Sequence, residues 1–378
     1  MWSRKRFDIE WCDLIYAVAR CLARVPQSES GGLRSTDRGE LVCLSARSGL
    51  DLVLAAAAFP RGSEVLVSAM TIPDIVRIIR QHGLVPIPLD LDAETAFPPA
   101  AQLTRRVTSR TKAVLLAHLF GATMPLDEHL AVARRHNLLF IEDCAQAFRG
   151  LASTGHSGAD VSLFSFGPIK TATALGGAVM RVRNGELLAE IRRRHSSWAM
   201  QSRAAYCRRV IKYMVLKALS CRVPLAWLIM SLRLFGRDYD KILNSSVTGF
   251  ASDRLFELIR RRPCAALVDL LWRRLERFDA RVQRHRAERG RRLAEALRHA
   301  FVCPAAYVSP HAYWVFPILT DSPNELRLEL FRHRFDATQG HSMVVVDPPP
   351  GRDDLEPRET RRFLANPVPT VLRRPARR

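Results

Sequence analysis

Residues 64–182 alternate short, continuous apolar runs with stretches of helical periodicity, and this alternation constrains the fold more than any other feature. EVLVSA (64–69), VPIPLDLD (85–92), AVLLAH (113–118), LLFIED (138–143), VSLFSF (161–166) and GAVMRV (177–182) read as strands. Runs that are apolar at successive positions belong to strands covered on both faces, as in parallel sheets. The intervening pattern predicts helices over 48–59, 72–82, 98–108 and 126–136. The fold class is therefore α/β with a mostly parallel central sheet. Ligands of such sheets collect at the carboxyl ends of the strands. Those ends carry His118, the pair Glu142–Asp143 and the stretch FSFGPIK, which closes on Lys170.

With 378 residues the chain is long for one core, so a large domain with a smaller companion is expected. The divisions fall at a helical segment over 1–39, a large α/β domain over 40–190, and a basic, apolar helical insert over 191–265. A long helix (266–297) and a small C-terminal α/β domain fill 266–346, and a Pro/Arg-rich tail covers 347–378. In the small domain HAYWVFPIL and FDATQGHSMVVV read as strands and NELRLELFRHR as a helix. The most apolar stretch, 205–236, has VPLAWLIMSL as its longest uncharged run, short of the ~20 residues a spanning helix needs. Amphipathic helices are expected there, packed on the protein or lying on a membrane surface.

The formal net charge of +21 points to acidic partners or a solvated basic surface. No basic run interleaved with aromatics occurs, which argues against nucleic acid. Eight scattered cysteines without a C-x-x-C pair fit neither a disulfide framework nor a zinc site. With no apolar leader in MWSRKRFDIEW, a cytoplasmic protein is expected, with peripheral contact to the inner membrane surface through 205–236.

Lys170 is one of only six lysines and has no charged neighbour in FSFGPIKTATALGGA. An amine in an apolar pocket loses its proton more readily and becomes a usable nucleophile. A lysine, a carboxylate at Asp143, a hydroxyl at Ser165 and helix-terminal N–H groups together meet the needs of pyridoxal 5′-phosphate (PLP). GSEVLVSAMTIPDIVRIIRQHGLVPIPLDLD, SRTKAVLLAHLFGATMPLD, IEDCAQAFRG, GADVSLFSFGPIK and ALGGAVM appear in order over about residues 40–185. In this ordered set the chain resembles the DegT/DnrJ/EryC1/StrS family of PLP-dependent sugar aminotransferases, and a weaker echo continues in CAALVDLLWRRLERFD.

The resemblance implies a three-layer, fold-type-I transferase in which Lys170 forms the Schiff base and Asp143 pairs with the pyridine nitrogen. It implies Gln146 beside the ring, and Ser165 with the backbone of Ala46 and Arg47 on the phosphate, where Ser48 would cap the helix. Ile72 takes the position where the family stacks an aromatic ring, and Leu175 stands in place of the acidic residue of GEGG. His118, His341 and Arg261 are the substrate-contact candidates, and Asp160 reads as a turn residue. Arg260–Arg262 lie in a loop expected to cross to the other subunit of a homodimer sharing its active sites. The implied reaction moves an amine, by family habit from glutamate, to a keto sugar, most simply one linked to a nucleotide. A dehydratase, where histidine replaces the lysine, is disfavoured by Lys170. The alternative is a catalytically weakened scaffold serving as a membrane-surface or regulatory binding protein.

Overall fold

A computed structural model describes residues 7–23, 39–220, 253–333, 335, 337–338 and 342–365. The chain begins with α1 (Trp11–Leu22), β1 (Glu40–Cys43), α2 (Ala46–Ala57), β2 (Glu64–Ser68) and the short β3 (Met70–Thr71). Then come α3 (Pro73–Gln81), β4 (Val85–Leu89), α4 (Ala100–Arg106), β5 (Thr111–Ala117), α5 (Asp127–Arg135), β6 (Leu139–Asp143), β7 (Val161–Ser165) and β8 (Ala178–Val182). After these lie α6 (Gly185–Ser196), β9 (Ala199–Met200), α7 (Arg203–Leu219), α8 (Leu255–Ile259), β10 (Arg261–Arg262) and α9 (Ala265–Glu276). α10 (Ala280–Leu297), α11 (Pro323–Arg332), β11 (Val344–Val345) and α12 (Arg358–Ala365) complete the described elements.

The central sheet runs β1-β8-β7-β6-β5-β2-β4. The block β7, β6, β5, β2 and β4 is parallel, while β8 is antiparallel to both its neighbours. Alternate residues of the apolar runs feed opposite faces. Val65, Val67, Leu115 and Ile141 pack with Val53, Ile78 and Ile191 of α2, α3 and α6. Leu66, Val114, Leu116 and Phe140 meet Leu103 of α4 and Leu130 of α5 on the other face. Each such buried aliphatic side chain stabilises the fold by roughly 1.5–3 kcal/mol, so both helical layers are held firmly. Near β8 a further cluster packs α1, α7 and α9 around Phe164, Phe166, Tyr206 and Leu267.

Several local features differ from the sequence expectation, each for an identifiable reason. α2 begins at Ala46, because extended Ser45 caps it by accepting the Ser48 N–H. Ser48 therefore sits inside the first turn and donates its hydroxyl to the Ile259 carbonyl. The long helix expected over 266–297 is two helices. Asp279 accepts the Arg281 N–H at 2.9 Å and starts α10 afresh, while Phe278 turns inward against Phe148. HAYWVFPIL makes isolated bridges (Ala122 with His311, Val302 with Leu319), and β11 pairs with β3 of the large domain. Asp160 holds the start of β7, accepting the Phe140 N–H at 2.8 Å. Of the insert and tail, residues 221–252 and 366–378 lie outside the described residues, as does His341.

Candidate active site

The carboxyl ends of β6 and β7 deliver the principal polar groups. Asp143 closes β6 and is half-buried; its Oδ1 accepts one hydrogen bond, from the Ala145 N–H at 2.9 Å. Burial raises its pKa, opposed by that N–H and by the charges of Lys170, His118 and Arg47. Ser165 closes β7, and the chain then turns at Gly167, whose carbonyl accepts the Lys170 N–H. A Cβ placed on Gly167 would lie 3.8 Å from Ser165 Oγ and 4.0 Å from Lys170 Cγ, so both side chains border one space. Burial pulls the Lys170 amine down to about 8, against the opposing pull of Asp143; the positive charge of Arg47 lowers it further. An amine with that pKa is partly neutral near physiological pH.

Trp314 joins the site although its sequence setting does not mark it. Its ring centroid lies 4.0 Å from Lys170 Nζ, and its Nε1–H donates to the Ile169 carbonyl at 2.9 Å. Two glycines let the backbone carry it there. Gly121, at φ +101°, has its would-be Cβ 2.7 Å from the Trp314 nitrogen, and a Cβ on Gly290 of α10 would enter the Tyr313 ring at 2.2 Å. HAYWVFPIL reads as an ordinary buried strand, so nothing in its pattern separates a site residue from the core.

The loop after the lysine is tied down along its length. Ala172 (φ +54°) donates its N–H to Asp8 Oδ2 at 2.7 Å, and Asp8 pairs with Arg274. Leu175 is fully buried at φ +61°, with its N–H held by Thr173 Oγ1 at 2.9 Å. That conformation is costly for a side chain with a Cβ, and the surrounding bonds enforce it.

Ala46 and Arg47 open α2, and Arg47 Nε bonds Asp74 at the start of α3 at 2.5 Å. Gln146 Oε1 accepts the Phe120 N–H at 2.8 Å, leaving its amide N–H groups as donors. Ile72 immediately precedes α3 and packs half-buried on the core beneath α2.

The structure gives His118 a core role in place of the substrate contact expected for it. Its Nδ1 accepts the Met124 N–H and its Nε2–H donates to Glu142 Oε1 at 2.9 Å, so both ring nitrogens are used. Glu142 Oε2 accepts from the His156 N–H and Ser162 Oγ. Burial would raise Glu142, but these hydrogen bonds, the one from His118 foremost, override it and bring it to about 2. Cys144 lies within 4.8 Å of these ligand-type atoms, and burial keeps its thiol protonated. With their lone pairs and protons committed, His118 and Glu142 form a structural network. Arg261 is bound in the β9–β10 pair and to Glu257, and among the described residues no contact joins it to Lys170 or Asp143. Arg260 is clamped bidentately to buried Asp51, beside a cavity of about 400 Å³ that also includes His82 and Trp198.

Sequence comparison matches the profile of the DegT/DnrJ/EryC1/StrS aminotransferase family to residues 39–343. GDP-perosamine synthase from Caulobacter vibrioides is 36% identical over 156 residues, 40% of this chain and 42% of the relative. A UDP-N-acetyl-3-dehydro-α-D-glucosamine 3-aminotransferase from Acidithiobacillus ferrooxidans is 32% identical over 184 residues, 46% of this chain and 48% of the relative. The chain thus matches less than half the length of these curated relatives. Among solved structures, NtdA from Bacillus subtilis with bound cofactor PMP superposes with a TM-score of 0.67 at 16% identity, covering 98% of this chain and 82% of that one. At that identity the likeness is one of fold.

Proposed function

Because the chain belongs to the DegT/DnrJ/EryC1/StrS aminotransferase family, we propose that it is a PLP-dependent aminotransferase acting on a nucleotide-linked keto sugar, with glutamate as amino donor. The observation that carries this reading is the desolvated Lys170 amine, drawn down to about 8 against the opposing charge of Asp143, with the Trp314 ring centroid 4.0 Å from its Nζ. The donor set fits PLP: an amine for its aldehyde, a carboxylate for its ring nitrogen, and a hydroxyl with helix-terminal N–H groups for its phosphate. When bound, the cofactor supplies an electron sink for the substrate carbon that gains or loses the amine.

The chain's own residues do the rest. Lys170 Nζ is the nucleophile when neutral, and as general base it takes a proton from the substrate carbon onto its own nitrogen and as general acid gives it back. Asp143 holds a proton at the ring nitrogen, because a carboxylate with one internal hydrogen bond has lone pairs to spare. Ser165 Oγ and the first turn of α2 hold the phosphate, with the Arg47 guanidinium adding positive charge nearby. Trp314 sets its ring face against the amine. The sugar-nucleotide assignment draws on the two curated relatives, whose names carry GDP- and UDP-linked sugars. A homodimer is part of the proposal; the Arg260–Arg262 segment expected to cross between subunits is instead tied to its own chain, Arg260 on Asp51 and Arg261–Arg262 paired as β10 with β9. Free cysteines throughout the described residues support a reducing, cytoplasmic setting.

Purified protein mixed with PLP is expected to develop the visible absorbance of a bound cofactor, absent in Lys170→Ala. Glutamate-dependent amination of a panel of keto-sugar nucleotides then follows. A protein that takes up no PLP, or that takes it up and aminates none of the panel, overturns the reading at a different step in each case.

A further inference from the structure

Helix α1 is built inside out. Its charged residues turn inward: Asp13 is buried against Arg273 (2.9 Å) and Arg274 (2.8 Å), and Arg20 bonds Asp269 (2.7 Å). Its outward stripe, Trp11, Ile15, Ala19 and Leu22, with Cys12 alongside, carries no charge over the helix length. Ile15 is 60% and Leu22 74% exposed. α7 packs beside α1, stitched to it by Lys217, whose Nζ donates to the Ile9 carbonyl and lies 5.8 Å from the Trp11 ring. α7 too shows apolar side chains outward: Ile211, Val215 (53% exposed) and Leu219, at one-turn spacing. Arg208 and Lys212 share this exposed side of α7. Soluble proteins rarely leave two adjoining helices with such a surface unless something covers it.

The charge around this face selects the occupant. α7 itself carries Arg203, Arg208, Arg209, Lys212 and Lys217 and no Asp or Glu. A second copy would bring this basic surface against its like, which is repulsive. Apolar stripes bordered by arginine and lysine instead match the headgroup–acyl boundary of an anionic bilayer. No helix among the described residues is long and apolar enough to cross a membrane. We propose that the α1–α7 face docks the protein on the surface of an anionic lipid bilayer. Trp11, Ile15, Leu22, Ile211, Val215 and Leu219 enter the boundary, and Arg208 and Lys212 meet the headgroups.

Vesicle co-sedimentation of the full chain tests this, using phosphatidylcholine alone and phosphatidylcholine mixed with phosphatidylglycerol. Binding is expected only to the anionic vesicles, weakened by added salt, and reduced about tenfold or more in the double variant Ile15→Glu/Val215→Glu. Far-UV circular dichroism of that variant should match the parent, since both side chains are solvent-exposed. Three results overturn the proposal. One is absence of binding to anionic vesicles. Another is equal binding by the double variant, which would mean attraction to net charge alone. The last is a wild-type oligomer that the double variant dissociates while neither protein binds vesicles, which would make the face an interface between copies.

Discussion

Glu142 and Asp143 are neighbours in sequence on one strand, yet they inhabit opposite environments. Glu142 points into the core and accepts from His118, the His156 N–H and Ser162, which hold it at about 2. Asp143, one residue on and so on the other face of the strand, has one N–H for company, and burial raises its pKa. A fully bonded carboxylate is committed to the fold. An under-bonded one beside a desolvated amine retains capacity for a ligand. Hydrogen-bond saturation, more than burial or charge, separates the structural acid from the one with lone pairs to spare.

Substitution can break this contrast. Lys170→Ala should abolish both amine transfer and visible cofactor absorbance, as read by spectrophotometry and product assay. Asp143→Asn should retain the fold, with urea-unfolding stability within about 1 kcal/mol of the parent, while activity falls roughly 100-fold or more. Glu142→Ala should reverse that pattern. Leaving His118 and Ser162 without their carboxylate costs about 3–5 kcal/mol of stability by the same unfolding measurement.

Titration sharpens the comparison. Glu142 has a folded pKa of about 2 against an ordinary 4.5. Its contribution is therefore fully present above 4.5 and is lost as pH falls from 4.5 toward 2. Thermal unfolding at stepped pH should show a shallower acid decline in Glu142→Ala. Lys170 carries the opposite sign of charge. Between about 8 and 10.5 its amine has lost a proton in the folded chain that the unfolded chain keeps, so cofactor-free protein gains stability as pH rises through that window. The smallest effect should come from Trp314→Leu, which retains an apolar cover but no π face over the ammonium. The pH dependence of cofactor uptake should then shift downward by about half a unit.

The parallel block and the groups at its carboxyl ends are legible because a run apolar at every position needs cover on both faces, which a central parallel strand supplies. Order and spacing place Asp143, Ser165 and Lys170 together at those ends. β1 is less visible: ELVC is a short edge strand, half-exposed, with no run to mark it. The break before α10 is hidden because helical periodicity continues across it, and only the Asp279 cap interrupts it. The role of His118 does not show in the sequence, since its partner Glu142 comes from a different strand. Trp314 escapes for a related reason: its meeting with Lys170 joins residues 144 positions apart.

Asp8 joins still more distant parts of the chain, bonding Ala172 two residues past the lysine and pairing with Arg274. The loop after Lys170 is thus finished by a residue 164 positions before Ala172. A change at Asp8 leaves the sheet and its helices intact but loosens the segment that carries Lys170, so a preparation altered there loses the lysine's setting without losing its fold.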